Sequence, residues 1–117
     1  MAQDFRELKV WHDSLVLTKD IYAAFNGCKD FSFRDQIQRA SVSVMNNIAE
    51  GSSRKSQKSF ISYLQIAEGS TAEVKSMLIL ALELRYLDEV LQERLFLQAD
   101  KISARLHVFV AKLKADG

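Results

Sequence analysis

The chain has 117 residues, which is enough for one domain with one hydrophobic core and too few to expect two. Sixteen basic and fifteen acidic residues give a formal net charge of +1, which excludes a strongly basic tail or a generally polyanion-binding surface. Any nucleic-acid site must therefore be local. The sequence has no proline and only four glycines, so we expect one all-α domain of long helices spanning residues 1–117.

Cysteine content and hydropathy predict a cytoplasmic protein without a membrane anchor. The single cysteine, Cys28, cannot form an internal disulfide, which favours a reducing compartment. The first six residues lack the apolar core of a signal peptide. The longest uninterrupted apolar run, residues 77–82, is far shorter than the roughly 20 residues that span a bilayer.

The first helix is predicted over about residues 5–25, because apolar side chains recur there at spacings of three and four. Asn26 and Gly27 supply a C-terminal stop. Trp11 is interpreted as a core or interface anchor. The expected core face comprises Leu8, Trp11, Leu15, Thr18, Ile21, Tyr22 and Phe25.

The second helix is predicted to begin after a Ser32 cap, with Asp35 in the place of a capping-box glutamate, and to run to Glu50. At ~100° per residue its side chains fall into three sectors. The core sector comprises Ile37, Ala40, Val44 and Ile48. The second sector is a polar seam that comprises Arg39, Ser43, Asn47 and Glu50. The third sector is apolar, so a second neighbour such as another subunit is expected to cover Val42, Met45 and Ala49.

The third helix is predicted over about residues 56–87. Its expected core face comprises Phe60, Leu64, Ala67, Thr71, Val74, Leu78 and Leu82. Residues 77–82 are apolar on every side of the helix, which in a small soluble protein implies cover from more than one direction. The expected oligomer interface therefore comprises Val42, Met45, Met77, Ile79 and Leu80.

A five-residue sequence, Ile-Ala-Glu-Gly-Ser, occurs at residues 48–52 and again at residues 66–70. Apolar periodicity stops after the first copy, so Gly51 is predicted to end the second helix. It continues after the second copy, so Gly69 is predicted to lie inside the third helix. An interior glycine costs roughly 1 kcal/mol relative to alanine, and close approach of a neighbouring helix would explain it. Five residues are too few to indicate a repeat architecture.

The fourth helix is predicted to start at Asp88 and Glu89, where the macrodipole favours acidic charge, and Lys112 and Lys114 complement its far end. Its expected core stripe comprises Leu91, Leu95, Ala99, Ile102, Leu106, Phe109 and Leu113. Four helices with short connections favour an antiparallel up-down-up-down four-helix bundle.

Basic residues are concentrated in two places that are candidate phosphate contacts. The first is the second helix and the serine-rich turn after it, although a solvated loop is the simpler interpretation of that turn on composition alone. Its basic residues are Arg34, Arg39, Arg54, Lys55 and Lys58. The second is a narrow sector of the fourth helix, which symmetric repetition in a ring would strengthen. It contains Arg94, Lys101, Arg105 and Lys112.

Signals for enzymatic chemistry are weak. The polar seam could be a substrate pocket, but a structural network with an Arg39–Glu50 ion pair, direct or through the amides, is the simpler interpretation, because buried polar groups need partners. The sequence has no Glu-x-x-His pair of the kind that builds di-iron sites and no phosphate-binding glycine loop, and His12 and His107 are far apart. No catalytic residue, metal site or cofactor is expected.

Several motifs occur in order along nearly the whole chain. They are Phe5-x-x-Leu8-x-Val10-Trp11, Ile21-Tyr22, Gln36-Ile37-x-Arg39-Ala40-x-Val42-Ser43, Asn47-Ile48-Ala49-Glu50-Gly51 and Ala67-x-Gly69-Ser70-x-x-Glu73. Together they resemble the bacterial four-helix-bundle family of proteins encoded in 23S rRNA intervening sequences, and the accessory variability protein of diversity-generating retroelements is similar. The chain departs from the family pattern at Gln38, where a second basic residue is usual, and at Met45, where proline is frequent.

The resemblance implies a homopentameric ring of antiparallel four-helix bundles. For the retroelement relatives it also implies binding of nucleic acid and of a reverse transcriptase through a basic surface. The departure at Gln38 removes one cation from that surface, and the departure at Met45 predicts a straighter second helix.

The leading hypothesis is a non-enzymatic oligomeric module that binds RNA or a ribonucleoprotein partner through phosphate contacts, with little reading of sequence. The residues expected to make those contacts are Arg34, Arg39, Arg54, Lys55, Lys58, Arg94, Lys101 and Arg105. One alternative is a protein-interaction scaffold without a nucleic-acid role. Another is an enzyme that uses Arg39, Asn47 and Glu50, which requires a solvent-open pocket at the polar seam.

Overall fold

The computed structural model describes residues 4–117, and that part of the chain is all-helical. A 3₁₀ turn, Phe5–Glu7, precedes four α-helices. The helices are α1 (Lys9–Ala24), α2 (Phe31–Ser52), α3 (Gln57–Glu83) and α4 (Glu89–Asp116). They pack as a bundle in which α1 and α3 each contact both α2 and α4. The prediction of an all-α fold with four helices is confirmed.

One continuous apolar core receives side chains from every helix. The four residues predicted for the core of α2 are all buried, and so are six of the seven predicted for α3, where only Leu82 is half-buried. On α4 the predicted stripe is buried at its centre and half-buried at its ends. Its buried members are Leu95, Ala99, Ile102 and Leu106, which Val110 joins.

The core face of α1 agrees in part with the predicted one. Its buried residues also include Val10, Ser14 and Leu17, whereas Tyr22 is 46% exposed and Leu15 is half-buried. The predicted residues that are buried are Leu8, Thr18, Ile21 and Phe25. Ser14 can be buried because its hydroxyl donates a 2.7 Å hydrogen bond to the Val10 carbonyl oxygen.

Two helix starts lie at different residues from those predicted. Asp30, not Ser32, caps α2, because its Oδ1 accepts a 3.1 Å hydrogen bond from the Phe33 N–H group. Ser32 lies inside the first turn. The first α-helix begins only at Lys9, because the preceding residues form the 3₁₀ turn and Leu8 is extended.

The close helix approach occurs at the other glycine of the repeated sequence from the one predicted. Gly51 does not end α2 but is buried inside it, and a Cβ atom there would lie 2.8 Å from the Tyr63 Cβ and 3.0 Å from the Phe60 Cδ1. Gly69 lies inside α3 as predicted, yet a Cβ atom there would meet nothing within 4 Å. The close helix approach expected at Gly69 therefore occurs at Gly51.

The α3 helix ends at Glu83, four residues before the predicted end. Arg85 adopts a left-handed conformation with φ of 61°. The Tyr86 N–H group bonds to the Ala81 carbonyl oxygen at 2.8 Å, and the Arg85 N–H group bonds to the Leu82 carbonyl oxygen at 3.0 Å. This is the Schellman arrangement, which stops a helix even where arginine replaces the usual glycine.

A hydrogen bond joins the α1–α2 connection to the α3–α4 connection. The Tyr86 hydroxyl donates to Asp30 Oδ2 at 2.6 Å, and the Tyr86 ring packs edge-on against Phe33 with centroids 5.2 Å apart. This hydrogen bond, together with the one from Phe33 N–H, holds the pKa of Asp30 below its ordinary value, and it raises the pKa of Tyr86.

Tyr86→Phe is expected to destabilise the protein at neutral pH and to do so less in acid. Because the folded pKa of Asp30 lies below the ordinary value of 3.8, the stabilisation is complete above that value and is lost as pH falls through the folded pKa. The raised pKa of Tyr86 places the alkaline loss above its ordinary value of 10.0. Urea unfolding of both proteins at neutral pH and well below the ordinary aspartate pKa measures the difference. An equal difference at both pH values would contradict this assignment.

Candidate nucleic-acid interface

The basic residues predicted to bind phosphates lie in three separate regions of the fold. They are Arg34 and Arg39 on α2, Arg54, Lys55 and Lys58 at the connection of α2 to α3, and Arg94, Lys101 and Arg105 on α4. The three regions differ in how many of their cations are already paired. Arg34, Arg54 and Arg105 already have carboxylate partners.

A groove of about 600 Å³ lies where the first turns of α3 meet the last turn of α4. The Gln57 side-chain amide donates a hydrogen bond to the Leu113 carbonyl oxygen and joins the two helices. Lys58 and Lys114 are exposed, and neither forms an ion pair with another residue of the described range. We name this site the basic groove; it is lined by Gln57, Lys58, Ile61, Ser62, Gln65, Leu113, Lys114 and Gly117.

Arg54 lies in the turn just before α3 and is held in place by two residues. Its Nη2 donates hydrogen bonds to Glu50 at 2.9 Å and to the Tyr63 hydroxyl at 2.8 Å, and its guanidinium carbon lies 4.8 Å from the Tyr63 ring centroid. Those hydrogen bonds use one nitrogen of a group that carries five N–H donors. Arg54 is therefore positioned with donors to spare, and Lys55 follows it in the same exposed turn.

Sequence reasoning missed Lys114 as a member of this site, because it assigned the residue only to the helix dipole. Lys58 and Lys114 are far apart in the chain but line the same groove. The signal that could have found Lys114 was the expected topology. If neighbouring helices run in opposite directions, the last turn of the fourth helix must meet the first turn of the third.

Part of the basic stripe on α4 is engaged with α1. Arg105 Nε lies 3.4 Å from Asp13 Oδ2, and the Gln98 side chain donates a 3.0 Å hydrogen bond to Asp20. Asp13 Oδ2 is buried and has no hydrogen bond within the described residues, so the ion pair with Arg105 supplies its compensating charge. Arg105 therefore already has a structural partner in the bundle, the Asp13 carboxylate.

Arg94, Lys101 and Lys112 are the exposed cations of the same stripe. None of the three forms an ion pair within residues 4–117. They lie among exposed aliphatic side chains of α4, namely Val90, Leu97 and Val108, and they do not line the basic groove.

Arg34 and Arg39 have different surroundings on α2. The Arg34 guanidinium carbon lies 4.7 Å from the Phe31 ring centroid, and its Nε lies 3.4 Å from Asp35. Arg39 is exposed beside an open polar groove of about 550 Å³ between α2 and α3. That groove is lined by Ser32, Asp35, Gln36, Arg39, Ala40, Ser43 and Glu73.

The middle of the predicted polar seam is a hydrogen-bonded network. Asn47 Nδ2 donates to the Ser43 carbonyl oxygen at 2.8 Å and lies 3.0 Å from the Ser43 hydroxyl. The Ser43 hydroxyl in turn lies 2.8 Å from the Ser70 hydroxyl of α3. These contacts join α2 to α3.

The ends of the seam do not pair with each other as predicted. Glu50 forms its ion pair with Arg54 at 2.9 Å, not with Arg39. Arg39 and Glu50 are eleven residues apart on one helix, a separation of about 16 Å at a rise of 1.5 Å per residue, so a direct ion pair cannot form. Of the three residues that the enzyme alternative needs, only Arg39 lines the open groove, and Asn47 does not.

One of the residues predicted for an oligomer interface belongs to the core of the bundle. Met77 is only 7% exposed and packs in the apolar cluster. Val42 and Met45 are half-buried, whereas Ile79 and Leu80 are 54% and 46% exposed. In the apolar run of α3, Met77 therefore packs in the core of its own bundle, whereas Ile79 and Leu80 remain exposed.

The remaining candidate reactive groups are possible metal ligands, the two histidines and the single cysteine. Within residues 4–117, no group of three or more His, Cys, Asp and Glu side chains could hold a metal ion. A ring nitrogen of His12 lies 2.7 Å from the Arg6 carbonyl oxygen, and His107 lies 3.9 Å from Glu68. Cys28 is a half-buried free thiol. Across the same part of the chain, no helix combines the length and hydropathy needed to cross a membrane.

Comparisons with known proteins agree with the motifs of the sequence. Residues 6–108 match the family model of the 23S rRNA-intervening sequence protein. The fold is similar to a crystal structure from Bacteroides thetaiotaomicron, described as a protein with unknown function from the S23 ribosomal protein family. The two share 27% sequence identity with a TM-score of 0.82, over 86% of this chain and 97% of that chain. No curated protein matches.

The matched residues run from the 3₁₀ turn into α4 and include α1, α2 and α3 with most of α4. They also contain nearly all of the motifs on which the resemblance rested. That resemblance is confirmed at the level of the family, and the chain belongs to the 23S rRNA-intervening sequence protein family.

Proposed function

We propose that the chain is a non-enzymatic helical-bundle protein that binds RNA, alone or in a ribonucleoprotein, through phosphate contacts at the basic groove. The observation that carries the proposal is the meeting of Lys58 and Lys114 in one open groove, without ion pairs inside the described range. Arg54 and Lys55 extend the cationic surface into the adjoining turn. A local cluster of this kind is compatible with a net charge of only +1.

The uncharged lining of the basic groove suits contact with a nucleic-acid backbone. Gln57, Ser62 and Gln65 supply amide and hydroxyl groups beside the two lysines. Side chains of these types commonly bond to phosphate and sugar oxygens, which fix position without reading bases. The groove contains no aromatic side chain on which a base could stack. The proposal is therefore for binding with little sequence preference.

The test compares two charge-matched variants. Lys58→Gln with Lys114→Gln removes both cations of the basic groove, and Lys19→Gln with Lys29→Gln removes two exposed cations elsewhere. Binding of a fluorescent single-stranded RNA of mixed sequence is measured across a range of salt concentrations. Each phosphate contact contributes about 0.7 to the slope of log K against log salt for a single strand, so the groove variant is expected to lose about 1.4 and the control variant nothing.

Two results would overturn the proposal. Equal weakening by both variants would show that only net charge matters and that the basic groove is not a site. Absence of binding by the unmodified protein at the lowest salt concentration would remove RNA binding altogether.

We further propose that the helices run antiparallel in up-down-up-down order. The support is that residue numbers fall on one helix as they rise on its neighbour along the contacts that join them. Those contacts are Asp13 with Arg105 and Asp20 with Gln98 for α1 and α4, Gln36 with Glu73 and Ser43 with Ser70 for α2 and α3, and Gln57 with Leu113 and Lys75 with Asp100 for α3 and α4.

We also propose that copies assemble into a ring, for which the family resemblance implies five subunits. The exposure of Ile79 and Leu80 supports an association of some kind, because a soluble monomer gains nothing from them. Light scattering tests the number directly: the ring predicts five times the chain mass of 13.3 kDa. The mass of a single chain would contradict it.

A further inference from the structure

The outward side of α4 carries a continuous row of exposed residues at alternating spacings of four and three. Val90, Leu97 and Val108 in this row are 81%, 59% and 64% exposed. This alternation is the a and d pattern of a helix that packs against another helix. Single exposed aliphatic residues are ordinary, but a whole row is not. We name it the α4 seam; it comprises Val90, Arg94, Leu97, Lys101, Ala104, Val108 and Ala111.

A second exposed row with the same alternation runs along α3. Ile66 and Leu80 in this row are 52% and 46% exposed. Gly69 lies between them, and its roughly 1 kcal/mol cost in a helix interior is not offset by any close approach within the described chain. We name this row the α3 seam; it comprises Ile66, Gly69, Glu73, Ser76, Leu80 and Glu83.

The two seams are complementary in charge and in side-chain size. The α4 seam carries the cations Arg94 and Lys101, and the α3 seam carries the anions Glu73 and Glu83. None of these four residues forms an ion pair within residues 4–117. The small side chains of the α3 seam, Gly69 and Ser76, leave room for the aliphatic side chains of the α4 seam.

We propose that the α4 seam of one copy of this chain docks on the α3 seam of a second copy. The inference rests on the proposed homo-oligomer and names the surfaces that meet in it. A second copy is the occupant because each molecule already presents both halves of the complementary pair. The seams are about 32 Å and about 26 Å long at a rise of 1.5 Å per residue, which is enough for several turns of helix packing.

This contact joins different surfaces on the two copies, so it is heterologous. Any open chain of subunits keeps one free α3 seam at one end and one free α4 seam at the other. Such an assembly grows until the rotation between neighbours closes it into a ring. Neither Lys58 nor Lys114 belongs to a seam, so the proposed RNA site and the proposed contact between copies use different charged residues.

The test is a charge reversal on each seam. One variant carries Arg94→Glu with Lys101→Glu, and the other carries Glu73→Lys with Glu83→Lys. Mass is measured by light scattering at low salt after nuclease treatment, and circular dichroism checks that each variant remains helical. Each variant alone is expected to lose the mass of the unmodified assembly, because its two seams then carry like charges. The two variants mixed in equal amounts are expected to form complexes of several chains in which they alternate, because each supplies the charge that the other lacks. A closed alternating ring has an even number of chains, so its mass differs from that of a ring of five.

A control variant and four outcomes separate this inference from the proposed ring. Lys19→Glu with Lys29→Glu reverses two exposed charges outside the seams and is expected to keep the full mass. An unmodified protein with the mass of one chain would overturn both proposals. A large unmodified assembly whose mass neither seam variant reduces would overturn the seam pairing and leave the ring intact. Loss of mass in the control variant as well would also overturn the pairing. So would a mixture of the two seam variants that forms no complex larger than either variant alone.

Discussion

Replacing Leu106 by alanine is expected to lower the free energy of unfolding by about 2–5 kcal/mol. Leu106 is completely buried in the middle of α4. The substitution removes apolar contacts on all sides and leaves a cavity that surrounding helices fill only in part. Urea unfolding followed by circular dichroism measures the change.

Leu97→Ala is the matched control, since it makes the same substitution on the same helix. Leu97 is 59% exposed, so its truncation is expected to change the unfolding free energy of the single chain by less than about 0.5 kcal/mol. The comparison belongs at low protein concentration, because association would couple to stability. Similar losses for both variants would show that α4 does not present the faces described.

Replacing Gly51 by alanine is expected to destabilise the protein by up to about 2 kcal/mol. The new methyl group would lie 2.8 Å from the Tyr63 Cβ and 3.3 Å from the Phe60 carbonyl oxygen. Neither atom belongs to the free end of a flexible side chain, so α2 and α3 must move apart. Overpacking of this kind costs roughly 1–3 kcal/mol, of which the better helix propensity of alanine returns about 1 kcal/mol.

The same substitution at Gly69 is expected to have the opposite sign. A Cβ atom there meets nothing within 4 Å, so Gly69→Ala gains up to about 1 kcal/mol of helix propensity in the single chain. Thermal and urea unfolding of the two alanine variants compare them directly. Destabilisation by both substitutions, or by neither, would contradict the close approach of α2 and α3 at Gly51.

The second and third helices could be predicted closely from the sequence because their apolar periodicity is regular. Ile37, Val44 and Ile48 recur at spacings that allow one solution, and the structure buries all of them. On α1 the periodicity is ambiguous, since Leu15 and Leu17 both fit a helical stripe. Only the packing of α1 against α2 and α4 selects Leu17.

Local signals at the helix ends could not be ranked without the fold. Asp30 and Ser32 are both good cap residues. The helix is capped by Asp30, whose carboxylate also accepts the Tyr86 hydrogen bond from the other connection. Gly51 and Gly69 follow identical residues, so the sequence around them cannot reveal that only Gly51 faces another helix. These differences depend on contacts between residues distant in the chain.

The sequence predicts which basic residues could bind phosphate, but it does not predict which of them lie together in the fold. Lys58 was selected because it lies in a basic turn. Its neighbour Lys114 is far away in the sequence, and only the packing of α3 on α4 brings the two lysines into one groove. Arg105 was selected from a basic stripe, and its ion pair with Asp13 depends on the packing of α1 on α4. A charge pattern on one helix does not specify which of its cations a neighbouring helix neutralises.

The most direct test of RNA binding is to measure the RNA that the purified protein retains at low and at high salt, with mass determined by light scattering in the same runs. The proposal predicts an assembly that holds RNA at low salt and releases it steeply as salt rises, because released counterions drive the binding. An assembly that retains no RNA at any salt concentration would contradict it.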